Sequence, residues 1–219
     1  MSTELDRARI AVVVHEVRSP VAAVAAVAEA LAERPADAAL RTELVRLALA
    51  ACHAIERIVL DLAVASVRLH SVDIRALVGE TAAAFRLQSA DVVADGLDGD
   101  PLFVRADAVR LRQGLDNLVR NALVHSGTAE PVRISVTSSD AEVVVAVTDA
   151  GVGISPDELE RIFEPGERVR PSSPGSGLGL AVTRAIVDAH GGSIEVESSE
   201  GVGTTFTMVL PAAEPQSAT

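Results

Sequence analysis

The stretch that says most about the fold is VVVAVTDAGVG, residues 143–153. Its first six residues are mostly β-branched and predict a strand, and Asp149, Gly151 and Gly153 follow where that strand ends. A carboxylate in this place can accept a hydrogen bond from an exocyclic amine, and glycines let the backbone come close to a flat ring. Because an aspartate before glycines is also a common turn, the stretch alone indicates a nucleotide site only with moderate specificity.

Strand and helix patterns alternate on both sides of this stretch. The two predicted strands over 132–137 and 143–148 are separated by four residues, which suits a β-hairpin. Helices near 107–125 and 178–189 are expected to cover one face of the sheet, which makes this part an α/β sandwich. Its other predicted elements are a helix near 73–87 and strands near 102–105, 193–197 and 204–210.

The N-terminal third is predicted to form two long helices. Ala, Val and Leu recur at three- and four-residue steps over about 3–33, Pro35 stops that helix, and Asp37 can cap the next one. A second helix, with apolar residues repeating close to a heptad, is expected to run to about residue 68. A single helical hairpin cannot bury this row of apolar residues, so we predict that the hairpins of two copies form a four-helix bundle. A monomeric hairpin packed on the second part is the alternative.

The chain is therefore predicted to be an α+β protein with two domains. Residues 1–70 are the helical hairpin and the surface of a homodimer, residues 71–211 are the α/β sandwich, and residues 212–219 are a flexible tail. These boundaries follow the change from helical periodicity to alternating elements near residue 70.

The segment HEVRSP, residues 15–20, lies inside the first predicted helix. His15 with Glu16 beside it suggests a chemical target, although a lone helical histidine is more often an ordinary surface or core residue. Pro20 removes one helical hydrogen bond and clashes with the preceding turn, so we expect a bend just after His15. The alternative is that Pro20 starts a new helix.

Asn117 and Asn121 lie four residues apart on one predicted helix. Their amides therefore project from the same face toward the same ligand. Amide oxygens are hard ligands that suit Mg²⁺. Two asparagines on a helix can also be solvated polar residues, and that alternative is open on these two residues alone.

Gly175, Gly177 and Gly179 precede a predicted helix. Backbone N–H groups and the helix dipole at such a start favour an anionic phosphate. The spacing is not a dinucleotide fingerprint, and the sequence has no Gly-Lys-Ser/Thr phosphate loop.

From about Ala8 to Pro211 these segments, in this order, resemble the H, N, G1, F, G2 and G3 boxes of the catalytic core of two-component sensor histidine kinases. The resemblance implies an ATP-binding domain of the histidine kinase, chaperone and topoisomerase ATPase type. It also implies phosphorylation of His15 by Mg-ATP and transfer to an aspartate on the receiver domain of a response regulator. Glu16 is the candidate for orienting the imidazole and taking its proton; alternatively it is an exposed helix charge.

The same resemblance assigns residues of the nucleotide site. Asn121 corresponds to the asparagine that coordinates Mg²⁺, Asn117 lines the site, and Asp149 corresponds to the carboxylate that binds the adenine amino group. Thr204 looks like the residue that closes the adenine pocket. Residues 154–176 resemble a mobile ATP lid, in which Phe163 is a candidate apolar anchor and Arg168 a candidate phosphate contact.

Two positions depart from the family pattern. A basic residue is frequent three positions after the metal asparagine, but here the residue is Val124, so Arg161 or Arg168 would have to supply that phosphate contact. Thr or Asn often supports dephosphorylation of the partner at the position of Ser19, which puts phosphatase activity in doubt. The sequence also lacks Tyr and Trp, which limits stacking on adenine.

Composition narrows the partners and the compartment. The net charge of −12 and the isoelectric point near 4.8 oppose nonspecific binding to nucleic acid, which needs a basic surface. A single cysteine, Cys52, cannot form an internal disulfide, so a reducing cytoplasm is the simplest compartment. No signal peptide or membrane-spanning run is apparent. Because few residues precede His15, we expect the chain to be either part of a longer kinase that upstream residues could attach to a membrane or a short kinase with an upstream sensor partner.

Two other functional classes compete with an active kinase. The first is a degenerate kinase that acts as a phosphotransfer or scaffold protein, which Val124 and the missing sensor motivate. The second is another ATPase of this fold, such as a chaperone, a topoisomerase-type clamp or a serine kinase of the anti-sigma type. Those proteins lack the HEVRSP segment on a dimeric hairpin, which disfavours them.

Overall fold

A computed structural model describes residues 17–31, 38–64, 67–127, 130–167 and 177–214. The chain divides into two compact units, Met1–Leu62 and Ala63–Thr219. The first unit contains helix α1, over residues 17–31, and most of helix α2, Ala38–Val64. His15, Glu16 and the predicted cap Asp37 lie outside the described residues.

Helix α1 continues through Pro20, since residues 17–19 before it and the residues after it are helical. The expected bend after His15 stays a prediction. Helix α2 ends at Val64, earlier than the residue 68 predicted from the heptad pattern. Residues 67–69 are not helical, and the backbone N–H of Arg68 donates to the Asp107 carboxylate at 3.2 Å. Within the described residues, no helix has the length and apolar content needed to cross a membrane.

The second unit is a mixed α+β domain. Its helices are α3, Ile74–Leu87; α4, Ala108–Ser126; the short α5, Pro156–Leu159; and α6, Gly179–Ala189. Its strands are β1, His70–Asp73; β2, Val92–Asp95; β3, Phe103–Ala106; β4, Val132–Ser138; β5, Glu142–Asp149; β6, Ser193–Ser199; and β7, Gly203–Pro211.

Five of the strands form one sheet in the order β2-β4-β5-β7-β6, while β1 and β3 form a separate antiparallel pair. Strand β2 is parallel to β4, and the other pairs in the large sheet are antiparallel. The predicted hairpin is confirmed as β4 and β5, in which Val136 lies opposite Val145. The predicted α/β sandwich is therefore confirmed.

Strands β1 and β2 were not expected from the sequence. Each has four residues, and β1 has only one strongly apolar residue, Val72. Such short segments show too little alternation to be distinguished from a loop. Each is held as a strand by a distant partner: β1 pairs with β3, and β2 pairs with β4.

The core lies between the large sheet and helices α3, α4 and α6. Along β5, side chains alternate between buried and half-buried, so Val143, Val145 and Val147 face the core. Leu115 and Leu118 of α4 and Ile186 of α6 are fully buried. Each such side chain contributes about 1.5–3 kcal/mol by leaving water. The predicted cover of one face by α4 and α6 is thus extended by α3.

Ordered structure continues two residues past the predicted end of the domain at Pro211. The Ala212 N–H donates to the Ala141 carbonyl at 2.9 Å, and the Ala213 N–H donates to the Phe103 carbonyl at 2.8 Å. The first residues of the predicted flexible tail are therefore bound to the β4–β5 turn and to β3. Residues 215–219 lie outside the described residues.

Helix α4 begins at a capping aspartate that is tied to the end of α6. The Asp107 carboxylate accepts from the backbone N–H groups of Val109 and Arg110 at 3.1 and 3.2 Å. Burial raises the pKa of Asp107, but backbone donors that include Arg68 outweigh it and hold the pKa below its usual range. The Asp107 N–H itself donates to Nε2 of buried His190 at 2.9 Å.

The hydrogen bonds of His190 determine which ring nitrogen carries the proton. Because Nε2 accepts from Asp107, the proton of the neutral ring lies on Nδ1, which donates to the Ile186 carbonyl at 2.6 Å. One imidazole therefore connects the first turn of α4 to the last turn of α6.

Replacing His190 is expected to destabilise the domain. His190→Ala leaves the part-buried Asp107 N–H without an acceptor, which should lower the free energy of unfolding by about 1–3 kcal/mol. His190→Gln keeps an acceptor at nearly the same distance along the side chain and should recover part of that loss. Urea unfolding of both variants measures the difference, and equal losses would show that the hydrogen bond to Asp107 does not stabilise the fold.

Candidate functional site

Asn117 and Asn121 lie one helical turn apart on α4, and both are half-buried. The Asn117 side chain donates through Nδ2 to the Gly179 carbonyl at 3.2 Å, which leaves its Oδ1 oxygen as an acceptor. Among the described residues, the Asn121 amide has no hydrogen-bond partner. The face of α4 that carries both asparagines therefore meets the start of α6 and presents amide oxygens there.

The start of α6 is packed closely against α4. Thr183 donates to the Gly179 carbonyl at 2.8 Å, and its methyl group would lie 3.5 Å from a Cβ atom placed on Gly114. Gly177 has a φ of +76°, and a Cβ there would lie 2.8 Å from the Glu167 carbonyl oxygen. The Gly177 contact brings the end of the 154–167 segment against the residues just before α6, a helix start whose backbone N–H groups favour a phosphate.

Asp149 ends β5 with its carboxylate buried, at 6% exposure. Its Oδ1 accepts from the Gly151 N–H at 2.8 Å, and the Thr204 backbone N–H also donates to the carboxylate. Burial raises the pKa of Asp149 above its usual value, although these two donors and the charge of His125 oppose the shift. The site thus holds an acceptor whose charged form is costly to keep away from water.

The loop after β5 is packed too tightly for side chains at its glycines. A Cβ on Gly151 would lie 2.3 Å from the His125 carbonyl oxygen, at the end of α4. Gly153 has a φ of +68°, and its Cβ would lie 2.1 Å from the Ser199 carbonyl oxygen. The glycines of this loop are therefore required for its contacts with α4 and with the β6–β7 turn.

Thr204 lies directly opposite Asp149 in the β5–β7 pairing and is also 6% exposed. Its Oγ1 atom is 2.9 Å from Oγ of Ser198, at the end of β6. The Ser198 hydroxyl also contacts the Ile154 N–H and the Gly203 carbonyl, both at 2.9 Å. One serine therefore connects the loop after β5 to the beginning of β7.

The segment after this loop is anchored by Phe163. Its ring lies edge-to-face against Phe206 of β7, with centroids 6.3 Å apart, and the Arg184 guanidinium lies over it at 5.2 Å. The segment begins with a capping box in which Ser155 and Glu158 bond each other. Phe163 thus packs this segment against β7, and its role as a lid anchor stays a prediction.

Arg161 points to acidic residues of its own segment. It forms an ion pair with Glu167 at 3.0 Å and a longer one with Glu164 at 3.8 Å. Val124, which stands where a basic residue is frequent in the resembled family, is 47% exposed on α4. The second unit therefore offers no positive side chain at position 124, and the charge of Arg161 is already partly neutralised.

The structure brings several of the predicted nucleotide residues into local contacts within the second unit. Asn117 and Gly179 share a hydrogen bond, Asp149 and Thr204 are paired across two strands, and Gly151 contacts the end of α4. Arg161 is instead engaged with acidic neighbours. Four predicted site residues lie outside the described residues: His15, Glu16, Arg168 and Gly175.

Two residues of this region were missed by the sequence reasoning. Ser198 makes three hydrogen bonds at the Asp149 end of the sheet, and the charge of His125 lowers the pKa of Asp149. Ser198 is one of two consecutive serines after the strand predicted over 193–197, which is a weak signal because exposed turns often contain such residues. His125 follows Val124 near the end of α4, and only folding brings it near Asp149.

The stability of the unaltered protein relative to an Asp149→Asn variant should depend on pH. Because burial raises the folded-state pKa of Asp149 above its unfolded value, its contribution is full below the unfolded pKa and is lost as the pH rises through the folded pKa. Asparagine does not titrate. The difference between the two free energies of unfolding, from urea titrations at several pH values, should therefore fall with rising pH. A constant difference would contradict the raised pKa.

Two glycines allow a matched test of the loop after β5. Gly153 and Gly201 both have positive φ, +68° and +75°, but a Cβ at Gly201 meets no atom within 4 Å. We expect Gly201→Ala to lower the free energy of unfolding by about 1–2 kcal/mol, the cost of the left-handed conformation. Gly153→Ala should cost clearly more, because the Ser199 backbone must also move. Equal losses in urea unfolding would exclude the close contact as a constraint.

The chain matches a known domain family and known structures. Residues 106–214 match the family described as histidine kinase-, DNA gyrase B- and HSP90-like ATPases. The catalytic domain of histidine kinase ThkA is 30% identical, with a TM-score of 0.55, and the match covers 65% of this chain and 97% of that domain. Full-length ShkA in complex with AMPPNP is 27% identical, with a TM-score of 0.64, over 94% of this chain and 46% of ShkA.

Curated relatives match nearly the whole chain. Sensor histidine kinase ZraS of Escherichia coli strain K12 is 34% identical over 209 residues, which are 91% of this chain and 44% of ZraS. Sensor-like histidine kinase SenX3 of Mycobacterium tuberculosis strain H37Rv is 33% identical over 217 residues, which are 93% of this chain and 53% of SenX3. The chain spans about half the length of these relatives. By these matches and by its fold, the chain belongs to the sensor histidine kinase family as a catalytic core, with its ATPase-type domain over residues 106–214.

Proposed function

We propose that this chain uses Mg-ATP to phosphorylate His15 and then passes the phosphoryl group to an aspartate of a response regulator. The observation that carries the proposal is the meeting of Asn117 with the start of α6 in the same domain that pairs Asp149 with Thr204. A nucleotide site needs one part that binds phosphate and one that binds the base. Here the start of α6 suits phosphate, and the buried carboxylate of Asp149 suits an amino group of the base.

Asp149 is the proposed contact for the adenine amino group. Its carboxylate accepts from two backbone N–H groups, and a carboxylate offers about four acceptor positions, so it keeps capacity for a further donor. Its burial strengthens a hydrogen bond to a ligand, since water competes poorly there. Thr204 lies beside it and is proposed to close the same pocket.

Asn121 is the proposed ligand of Mg²⁺. Its half-buried amide has no hydrogen-bond partner among the described residues, so its oxygen is available to a hard cation. Asn117 is held by the Gly179 carbonyl and directs its remaining oxygen to the same face of α4. The cation would neutralise phosphate charge, while Gly175, Gly177 and Gly179 would present backbone N–H groups to the phosphates.

The chemical step is transfer of the γ-phosphoryl group to the imidazole of His15. A nitrogen–phosphorus bond forms, the bond between the γ-phosphorus and the bridging oxygen breaks, and ADP leaves with that electron pair. Glu16 is proposed to hold the imidazole by its other nitrogen and take its proton. Both residues lie outside the described residues, so this assignment rests on the family and on the sequence pattern.

A positive side chain is needed near the phosphates in place of Val124. Arg161 is paired with Glu167 and Glu164, so it would have to exchange a carboxylate for a phosphate to serve. Arg168 is the other proposed contact. Because surface ion pairs contribute little, the exchange by Arg161 would cost little energy.

A homodimer through the helical hairpin is proposed for the first unit. Two apolar side chains of the heptad pattern on α2, Leu40 and Leu47, are 46% and 44% exposed in the single chain. Such side chains gain stability when a second hairpin covers them. The same bundle is the proposed docking surface for the receiver domain of a response regulator, and an upstream sensor partner would supply the input.

The exposed Val124 also favours a second candidate, a degenerate kinase that acts as a phosphotransfer or scaffold protein. Such a protein would keep the hairpin and the acceptor histidine but would not transfer phosphate from bound ATP. The two candidates therefore differ in whether purified protein labels itself.

Incubation with γ-labelled ATP and Mg²⁺ should label the unaltered protein with acid-labile, alkali-stable phosphate. His15→Gln should abolish the label because the acceptor is gone, and Asn121→Ala should strongly reduce it because the metal ligand is gone. His70→Gln changes an exposed histidine of β1 and is the matched control, which should label normally.

Each outcome of this experiment separates the candidates. Label that persists in His15→Gln would place the acceptor elsewhere. Unlabelled but dimeric and folded unaltered protein would favour the phosphotransfer or scaffold function over the kinase.

A further inference from the structure

The Ser198 hydroxyl makes three hydrogen-bond contacts at the end of β6. The Ile154 N–H donates to it at 2.9 Å, it donates to the Gly203 carbonyl at 2.9 Å, and Oγ1 of Thr204 lies 2.9 Å away. All three contacts have the distance and chemistry of ordinary hydrogen bonds. Together they use the full capacity of a serine hydroxyl, which is one donated proton and two acceptor positions.

These three contacts determine which of the two hydroxyls, Ser198 or Thr204, donates the hydrogen bond between them. A carbonyl oxygen can only accept, so the single proton of Ser198 goes to Gly203. A backbone N–H can only donate, so the Ile154 contact occupies one acceptor position of Ser198. The contact with Thr204 must then be donated by Thr204, and only the lone pairs of the Thr204 hydroxyl remain for any other partner.

Thr204 is paired across the strands with Asp149, whose carboxylate is an acceptor in its charged form. Both side chains are 6% exposed, so a ligand that reaches them meets little competing water. The beginning of β7 and the end of β5 therefore present two acceptors side by side. A 6-amino group on a purine supplies two N–H donors to such a pair, whereas a 6-oxopurine supplies an acceptor at position 6 and a single donor, N1–H.

We infer that Ser198 is a positioning residue for base selectivity: it holds the Thr204 hydroxyl as an acceptor, so that the site binds a 6-aminopurine nucleotide in preference to a 6-oxopurine nucleotide. This inference rests on the proposed function, which places the base beside Asp149 and Thr204. Without Ser198, the Thr204 hydroxyl is free to rotate and to donate to a 6-oxo group, and the selectivity at this position falls.

Ser198 also holds the Ile154 N–H at the start of the segment after Gly153. A loosened segment would weaken every nucleotide to a similar degree, because it does not distinguish one base from another. The ratio of two dissociation constants is therefore the informative measurement, and the individual affinities are not.

The test compares ADP with inosine diphosphate, which has a 6-oxo group where ADP has a 6-amino group. Binding of each to the full chain is measured by calorimetry with Mg²⁺ present. Ser198→Ala should reduce the preference for ADP by roughly two- to tenfold, which corresponds to one neutral hydrogen bond. Ser198→Thr keeps the hydroxyl and should restore the preference.

A second pair of variants tests the same inference without altering Ser198. Thr204→Val removes the acceptor and should also reduce the preference for ADP, whereas Thr204→Ser keeps the hydroxyl and should retain it. In the Thr204→Val background, Ser198→Ala should cause no further change in the ratio, because Ser198 acts through Thr204.

The outcomes separate this inference from the proposed function. If the unaltered protein binds neither nucleotide, the proposed nucleotide site is wrong and the inference falls with it. If it prefers ADP and Ser198→Ala or Thr204→Val leaves the ratio unchanged, the site stands and the inference is overturned. A further loss of preference from Ser198→Ala in the Thr204→Val background would also overturn it.

Discussion

The burial of one carboxylate at the end of β5 is the constraint on which the site depends. Asp149 is nearly inaccessible to water, and burial raises its pKa even though two backbone N–H groups bond to it. The backbone hydrogen bonds of the domain therefore replace only part of the hydration that the Asp149 carboxylate loses on burial. Around it, Gly151 and Gly203 leave no room for a Cβ, so the end of β5 meets α4 and β7 directly.

The phosphate end of the site depends on how α4 and α6 are joined. They are connected at one point by the Asn117 amide and the Gly179 carbonyl, and at another by the Asp107 N–H and the His190 ring. The intervals are ten residues on α4 and eleven on α6, or about 15 and 16 Å along each helix. The two antiparallel helices are therefore joined at two points that are about equally far apart on each helix. These two connections fix the position of the asparagines relative to the start of α6.

The acidic surface and the ion pairs of the 154–167 segment affect how the negatively charged phosphates of ATP would bind. Arg161 forms ion pairs with Glu167 and Glu164, and α4 has Val124 at a position where the family often has a basic residue. Neutralisation of phosphate charge thus falls mainly on backbone N–H groups and on the proposed Mg²⁺. An arrangement of this kind makes nucleotide binding strongly dependent on the cation, since few side-chain charges assist it.

Most of the second unit could be predicted from the sequence, because strands β3 to β7 and helices α3, α4 and α6 carry clear periodicity. The four-residue β3 could also be predicted, but β1 and β2 could not, because β1 has only one strongly apolar residue and β2 is held as a strand by pairing with the distant β4. The order of the motifs predicts the family, and the motifs include Asn117, Asp149, Gly179 and Thr204. Their spacing along the chain predicts a nucleotide site but does not predict which of their atoms form hydrogen bonds.

By itself, the sequence determined the class of each segment, the family and the candidate residues of the nucleotide site. Only the tertiary structure decided that Asp107 bonds to His190, 83 residues later in the chain, and that the Ser198 hydroxyl sets the direction of the Thr204 hydrogen bond. The physical reason is that periodicity and capping are local properties of the chain. The direction of a hydrogen bond depends on every donor and acceptor around it, and here those groups come from three separate segments brought together by the sheet.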